Sequence, residues 1–94
     1  MEKLDIILKA LDDKIAENVV SIDLKGKSSI AEYFVIATGS AVNHNQAICD
    51  EIEFQLKKNN MDCLSTEGYK DGNWILLDCG EIVVHIMTKD YRSY

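Results

Sequence analysis

The side chains of this sequence that could carry acid–base, nucleophilic or metal chemistry are few and widely spaced. Neither His44 nor His85 has a second His or Cys three or four residues away, the spacing that sets two metal ligands on one helix face. The cysteines Cys49, Cys63 and Cys79 are odd in number and show no C-x-x-C spacing. We therefore expect no metal site, and we interpret all three cysteines as reduced thiols rather than as a disulfide framework.

The segment best suited to meeting another molecule runs from Glu67 to Met87. Two apolar runs flank Cys79-Gly80, and a two-residue loop ending in glycine predicts a β-hairpin in which Asp78 faces Glu81 and Trp74 faces His85. Alternation along the strands then gives one wholly apolar face, which must be core: Ile75, Leu77, Ile82, Val84 and Ile86. The other face combines a large aromatic side chain, a histidine and two acids: Trp74, Leu76, Asp78, Glu81, Val83, His85 and Met87.

This mixed face supports two interpretations. A tryptophan on a sheet is commonly a packing residue. An indole accompanied by Glu67, Asp71, Asp78 and Glu81 suits an interface better, because aromatic side chains anchor interfaces and charges at the rim steer the partner. We predict a partner-binding surface made of Glu67, Tyr69, Trp74, Leu76, Asp78, Glu81, Val83 and His85.

The elements that must position these residues follow from periodicity. Apolar residues at helical spacing predict amphipathic helices over about 2–17, ended by Asn18, and over about 43–60. The interval between them holds an alternating strand over 20–24 and a nearly continuous apolar strand over 33–38, typical of a central strand covered on both faces. A short strand over 64–67, the hairpin and a helix start at 88–92 complete the chain.

This order predicts one α/β (α+β) domain, with a mixed sheet of about five strands and helices packed on it.

Composition narrows the classes of partner. The chain has 94 residues, a formal net charge of −6 and a single arginine, Arg92. Neutralising phosphates requires clustered Lys and Arg, so we expect little direct contact with nucleic acid and a basic protein surface as the natural partner. No apolar run approaches the length of a membrane span, and the first residues lack the pattern of a secretory signal. We therefore expect a cytoplasmic protein.

Several motifs together resemble one known family. They are Asp23-Leu24-Lys25-Gly26-Lys27, then the run from Glu32 to Ser40 followed by His44, Ala47, Ile48, Asp50 and Glu51, then Glu67-Gly68, Trp74 to Asp78 and Gly80 to Ile86. In order and spacing they resemble the ribosomal silencing factor RsfS, or Iojap, family over essentially the whole chain. Family members usually continue beyond the last helix start, whereas this chain stops at Ser93-Tyr94. We expect one domain over 1–94 that lacks the usual C-terminal tail.

The resemblance implies a function that the residues alone do not give. Family members bind the large ribosomal subunit through ribosomal protein L fourteen, block joining of the small subunit and repress translation when nutrients are scarce. An acidic chain docking on a basic ribosomal protein agrees with the charge balance. The resemblance therefore implies a non-enzymatic inhibitor of ribosome subunit association that acts by steric occlusion without a cofactor, with Trp74 as its anchor.

Two other functions stay open beside this one. The family's fold is similar to that of nucleotidyltransferases, and Gly39-Ser40 resembles their phosphate-contacting turn. That chemistry needs paired carboxylates at Asp-x-Asp spacing to hold magnesium, and none of the sixteen acids form such a pair. We interpret Gly39-Ser40 as a strand exit and expect no catalytic residues. The third function is self-association, since the Trp74 face or an exposed sheet edge could form a homodimer.

Overall fold

The protein is described here by a computed structural model that covers residues 2–29 and 31–93. Within those residues the chain forms three helices and five strands. In chain order they are α1 (Lys3–Asp13), β1 (Glu17–Asp23), β2 (Tyr33–Thr38), α2 (Val42–Lys58), β3 (Ser65–Glu67), β4 (Trp74–Asp78), β5 (Ile82–Met87) and α3 (Lys89–Arg92). The predicted order of helices and strands is confirmed. The end of the predicted domain at Tyr94 lies outside the described residues.

The five strands form one mixed sheet in the order β1-β2-β5-β4-β3. The central strands β2 and β5 run parallel, with Val35 beside Val84, and every other pair is antiparallel. The predicted mixed sheet of about five strands with helices packed on it is therefore confirmed. The strand order by itself does not confirm the nucleotidyltransferase-like topology that the resemblance implied.

Both long helices pack on the same face of the sheet, and the core lies between them and the strands. The buried residues of α1 are Ile6, Ile7, Ala10 and Leu11, and the apolar ones of α2 are Ile48, Cys49, Ile52 and Leu56. They meet the inward residues of the central strands, which are Val35, Ala37, Ile75, Leu77, Val84 and Ile86, in one cluster. Because alternate residues of a strand point to opposite faces, the residues between these lie on a face that neither long helix covers.

The two long helices end in the same way. Each has a residue in the left-handed region just beyond its last turn, Ile15 at φ 58° after α1 and Asn60 at φ 61° after α2. The Ala16 amide donates to the Leu11 carbonyl and the Met61 amide to the Leu56 carbonyl, which is the Schellman pattern. This motif corrects the predicted end of the first helix near residue 17. Sequence patterns could not predict this helix end, because a β-branched residue such as Ile15 rarely adopts positive φ.

The loop of the β4–β5 hairpin is Gly80-Glu81, one residue later than predicted. Trp74 pairs with Met87 and Asp78 with Val83, and the Cys79 amide donates to the Ile82 carbonyl. Glycine comes first in this loop with φ 85°, as a type II′ turn requires. The predicted pairs, Trp74 with His85 and Asp78 with Glu81, are therefore wrong. The register shift is even, so the predicted division of β4 and β5 into two faces is nevertheless confirmed.

The first two strands are covered less than predicted. All seven residues of β1 are exposed, so this edge strand is wet on both faces rather than on one. In β2, Val35 and Ala37 are buried under the helices, whereas Phe34 and Ile36 are only partly covered. The predicted covering of β2 on both faces is therefore wrong. On its second face the strand end is contacted by α3, where Arg92 Nη1 donates to Thr38 Oγ1 at 2.8 Å.

Two of the three cysteines are joined, which corrects the prediction of three reduced thiols. A disulfide links Cys63, just before β3, to Cys79, just after β4. Sequence spacing could not predict this pair, because the two residues become neighbours only when β3 adds to β4. Cys49 is free and buried.

In the described part of the chain, no helix has both the length and the apolar character needed to span a bilayer.

Candidate functional site

The surface that stands out is the sheet face opposite α1 and α2, which we call the open face. Register places its residues in rows that cross the strands. One row reads Ile22, Phe34, Val83, Asp78 and Ser65, and the next reads Val20, Ile36, His85, Leu76 and Glu67. Trp74, 48 % exposed, and Met87 form the third row, beside Tyr91 of α3. A contiguous apolar surface of this kind on a water-facing sheet is typical of an interaction site.

The open face contains a cavity of about 570 Å³ at the end where α3 begins. Its lining is almost entirely apolar or aromatic: Phe34, Ile36, Trp74, His85, Met87 and Tyr91. Trp74 and Tyr91 form exposed walls, whereas Phe34 and Ile36 form a partly buried floor. Such a hollow can accept an apolar side chain of a partner, and the imidazole of His85 can fix its orientation.

His85 is held in the open face by aromatic neighbours. The indole Nε1 of Trp74 donates a hydrogen bond to Nδ1 of His85 at 3.2 Å, and the Phe34 ring centroid is 5.2 Å from the imidazole. Burial lowers the pKa of His85 below its usual value of 6.5. A neutral imidazole that accepts at Nδ1 carries its proton on Nε2, and that nitrogen is buried without a hydrogen-bond partner among the described residues.

Two of the predicted acids lie at the β3 end of the open face. Glu67 of β3 is exposed and pairs in register with Leu76. Asp78 is half-buried, and its Oδ1 accepts a hydrogen bond from the Gly80 amide at 3.1 Å, which stabilises the hairpin turn. The apolar centre of the open face thus has an acidic border on one side.

The structure separates two of the predicted binding residues from the open face. Glu81 lies in the hairpin loop and turns toward α1, where its carboxylate is 3.1 Å from Lys3 Nζ, and this contact lowers the pKa of Glu81. The Tyr69 hydroxyl donates to Asp50 of α2 at 2.9 Å, which raises the pKa of that phenol. The other six predicted residues, Glu67, Trp74, Leu76, Asp78, Val83 and His85, share the open face.

The loop that leads into Trp74 is held by α2. The Asn45 side chain, fully buried, donates from Nδ2 to the Gly72 carbonyl at 2.8 Å, and Gln46 Nε2 donates to the Tyr69 carbonyl at 2.8 Å. At the other end of the loop, the Thr88 amide donates to the Asn73 carbonyl. These bonds fix the position from which Trp74 enters the open face.

The chain matches the model of the family described as ribosomal silencing factor during starvation over residues 1–94. The chain belongs to this family. It is 41 % identical over 91 residues to the ribosomal silencing factor RsfS of Bacillus subtilis, covering 97 % of this chain and 77 % of that protein. It is 39 % identical over 93 residues to RsfS of Halalkalibacterium halodurans, covering 99 % and 80 %.

A solved structure gives the same result for the fold. The crystal structure of a protein from Chromobacterium violaceum superposes with a TM-score of 0.93 at 29 % identity, covering 100 % of this chain and 81 % of that chain. The resemblance stated from the sequence motifs is therefore confirmed. The family is named for the silencing of ribosomes, which is a regulatory function.

Sequence reasoning missed several residues of the open face. Phe34 and Ile36 were assigned to a fully covered strand, because a continuous apolar run is also what a buried parallel strand shows. Tyr91 was placed only in a helix start, although an exposed tyrosine beside the hairpin was a usable signal. No local pattern pointed to Asn45, whose hydrogen bond to Gly72 joins positions 27 residues apart.

The remaining candidates, Gly39-Ser40 and His44, have structural roles in the part of the chain that the structure describes. Gly39 follows the last residue of β2. His44 Nδ1 accepts a hydrogen bond from the Ser40 amide at 2.8 Å, and His44 Nε2 lies 2.7 Å from the Lys14 carbonyl. His44 therefore ties the start of α2 to the end of α1. Across the described residues, no group of three or more His, Cys, Asp or Glu side chains is arranged to hold a metal ion.

Proposed function

We propose that this chain binds the large ribosomal subunit through ribosomal protein L fourteen and blocks joining of the small subunit, which represses translation when nutrients are scarce. The observation that carries the proposal is the open face, an apolar sheet surface that the chain's own long helices leave uncovered. Membership of the ribosomal silencing factor family supports a ribosomal partner. The mechanism is steric occlusion with no chemical step and no cofactor, at a cytoplasmic site of action.

Within this proposal the residues of the open face have distinct roles. Trp74 is the anchor, because large half-exposed aromatic side chains contribute most of the binding free energy at interfaces. Leu76 and Val83 exclude water around it, and the Nε2–H of His85 is available to an acceptor when the partner reorders this face. Asp78 and Glu67 attract a basic surface, since a net charge of −6 favours a cationic partner.

Direct contact with RNA has little support. Acids outnumber Lys and Arg by sixteen to ten, and the single arginine, Arg92, uses its guanidinium to bind Thr38. Binding of phosphates requires clustered cations that are free to replace counterions. A protein component of the ribosome is therefore the partner that this surface fits.

Self-association is a second candidate for the same surface. An apolar sheet face that is open in the single chain can bury itself against a second copy. A homodimer of this kind would compete with the ribosome for Trp74, so subunit binding would rise less steeply with protein concentration than it does for a chain that stays monomeric.

The test is sedimentation of the purified protein with isolated large or small ribosomal subunits. We expect comigration with the large subunit only, and a loss of affinity of about 2 kcal/mol, or roughly thirtyfold, in Trp74→Ala. Phe54→Ala is the matched control, because Phe54 is 60 % exposed on α2 and lies away from the open face. Unchanged binding in a folded Trp74→Ala protein would show that another surface binds the ribosome.

A further inference from the structure

Cys63 and Cys79 occupy a position that affects how the edge of the sheet is held. The disulfide joins the segment before β3 to the end of β4, on the side of the sheet that faces the helices. Cys79 is fully buried, whereas Cys63 is partly exposed and packs against the core. A reagent in solution can therefore reach the pair through Cys63.

Strand β3 has few other attachments. It has three residues, pairs only with β4, and lies at the edge of the sheet. Beyond its ladder with β4, the Leu64 amide donates to the Asp78 carbonyl at 2.6 Å, and Thr66 Oγ1 donates to Glu53 of α2 at 2.9 Å. A short exposed edge strand with so few partners opens easily, unless a covalent bond at its start limits that opening.

We propose that Cys63 and Cys79 form a thiol–disulfide site that reacts with low-molecular-weight disulfides and locks β3 onto β4. In the forward reaction the Cys63 thiolate attacks one sulfur of the small disulfide, which forms a mixed disulfide and releases one small thiolate. The Cys79 thiolate then attacks the Cys63 sulfur and releases the second. The two protons lost by the protein thiols are taken up by the two small thiolates, so the protein is oxidised by two electrons and the small disulfide is reduced.

Cys49 provides an internal contrast. It is fully buried in α2, and burial together with the nearby carboxylate of Glu53 raises the pKa of its thiol to about 12. Almost no thiolate exists there at neutral pH, and the thiolate is the reactive form. Cys49 also has no second sulfur beside it, whereas the partly exposed Cys63 gives access to Cys79, so among the described residues the two-step exchange belongs to the Cys63–Cys79 pair.

The lock also acts on the open face, and this part of the inference rests on the proposed function. Glu67 lies at the end of β3 opposite Leu76, and Asp78 pairs with Ser65. When β3 is fixed, the acidic border stays beside the apolar centre, and when β3 opens, Glu67 leaves it. The oxidised protein should therefore bind the large subunit more tightly than the reduced protein.

The experiment uses reduced protein treated with oxidised glutathione and followed by intact-protein mass spectrometry and amide hydrogen exchange. We expect the wild type and Cys49→Ala to lose the mass of two hydrogen atoms, and Cys63→Ser to show at most a single glutathione adduct. The exchange rates of the β3 amides should be lower in the oxidised form by a factor of about ten or more. No loss of mass, or equal exchange in the two forms, would overturn the site.

Sedimentation with the large subunit tests the regulatory part separately. The oxidised wild type should comigrate at a several-fold lower protein concentration than the reduced wild type, and Cys63→Ser should behave as the reduced form under both conditions. Equal binding of the two forms would remove the regulatory role. If neither form binds, the proposed function fails, while mass and exchange still decide whether the thiol–disulfide site exists.

Discussion

Trp74 and His85 form a polar contact in the middle of an apolar surface, with the indole Nε1 donating to the imidazole Nδ1 across 3.2 Å. This hydrogen bond requires an unprotonated Nδ1, because an imidazolium has a proton on both nitrogens and accepts from neither. The side chain that we propose as the anchor of the interface is thus oriented by a group that gains a proton when the pH falls far enough.

The first prediction concerns pH and stability. The unfolded chain protonates His85 near pH 6.5, whereas burial lowers its pKa in the folded protein. The unfolded state therefore binds more protons in this range, so the stability that is present above pH 6.5 is lost as the pH falls through the folded pKa. Urea unfolding above and below pH 6.5 measures this loss.

His85→Gln is the control for that measurement, because acidification also changes the charge of other parts of the chain. The variant cannot protonate at position 85, so the difference in free energy of unfolding between wild type and variant should shrink as the pH falls. Parallel curves for the two proteins would show that His85 makes no contribution.

A second prediction compares neighbouring leucines on β4. Leu77 is fully buried in the core and Leu76 is partly exposed on the open face. Leu77→Ala should lower the free energy of unfolding by about 2–5 kcal/mol, because it leaves a cavity in the core. Leu76→Ala should cost about 1 kcal/mol or less and should instead weaken subunit binding. Equal costs in chemical denaturation would contradict the assignment of faces.

The third prediction concerns Gly39 and Asn45, which share one space. A Cβ at position 39 would meet the Asn45 side-chain oxygen, and Asn45 cannot move away without breaking its hydrogen bond to Gly72. Gly39→Ala should therefore lower the free energy of unfolding by about 1–3 kcal/mol. In an Asn45→Ala background the same change should cost about 1 kcal/mol less, because the space is vacated. A double-mutant cycle measures this coupling, and strict additivity would show that the two side chains do not interact.

The fourth prediction concerns the acidic border. Glu67→Lys should slow association with the large subunit and reduce its dependence on salt, because attraction of a cationic partner is screened by ions. Asp12→Lys changes the net charge by the same amount at an exposed position of α1, away from the open face. It should have a smaller effect on the association rate and on its salt dependence. Stopped-flow association rates at several salt concentrations separate the two variants. Identical salt slopes would argue for a general charge effect.

Much of this fold could be predicted because its patterns are local. Helical spacing identified Leu11 and Ile52 as core residues, and alternation identified Ile75 and Val84, since each signal needs only the residue's own element. The side of the sheet on which Trp74 lies was also predicted correctly. The pairing register was wrong by two residues, and a shift of two leaves each side chain on the same face.

Several errors involve neighbours that are distant in sequence or conformations that are rare. Ile15 ends α1 in a conformation that β-branched residues seldom adopt. Glu81 and Tyr69 lie away from the open face with which they were grouped, because their contacts are to Lys3 and Asp50, which belong to helices packed from elsewhere in the chain.

The placement of both long helices on one face has a consequence for how this sequence can change over time. Alternate residues of β4 and β5 serve two different constraints, since Leu77 and Val84 hold the molecule together while Leu76 and His85 face outward. Substitutions at the first kind of position change the stability of the fold, whereas those at the second change the open face and leave the core intact. Proteins with this architecture can change the side chains of their open face at every other residue of two strands while the fold stays the same.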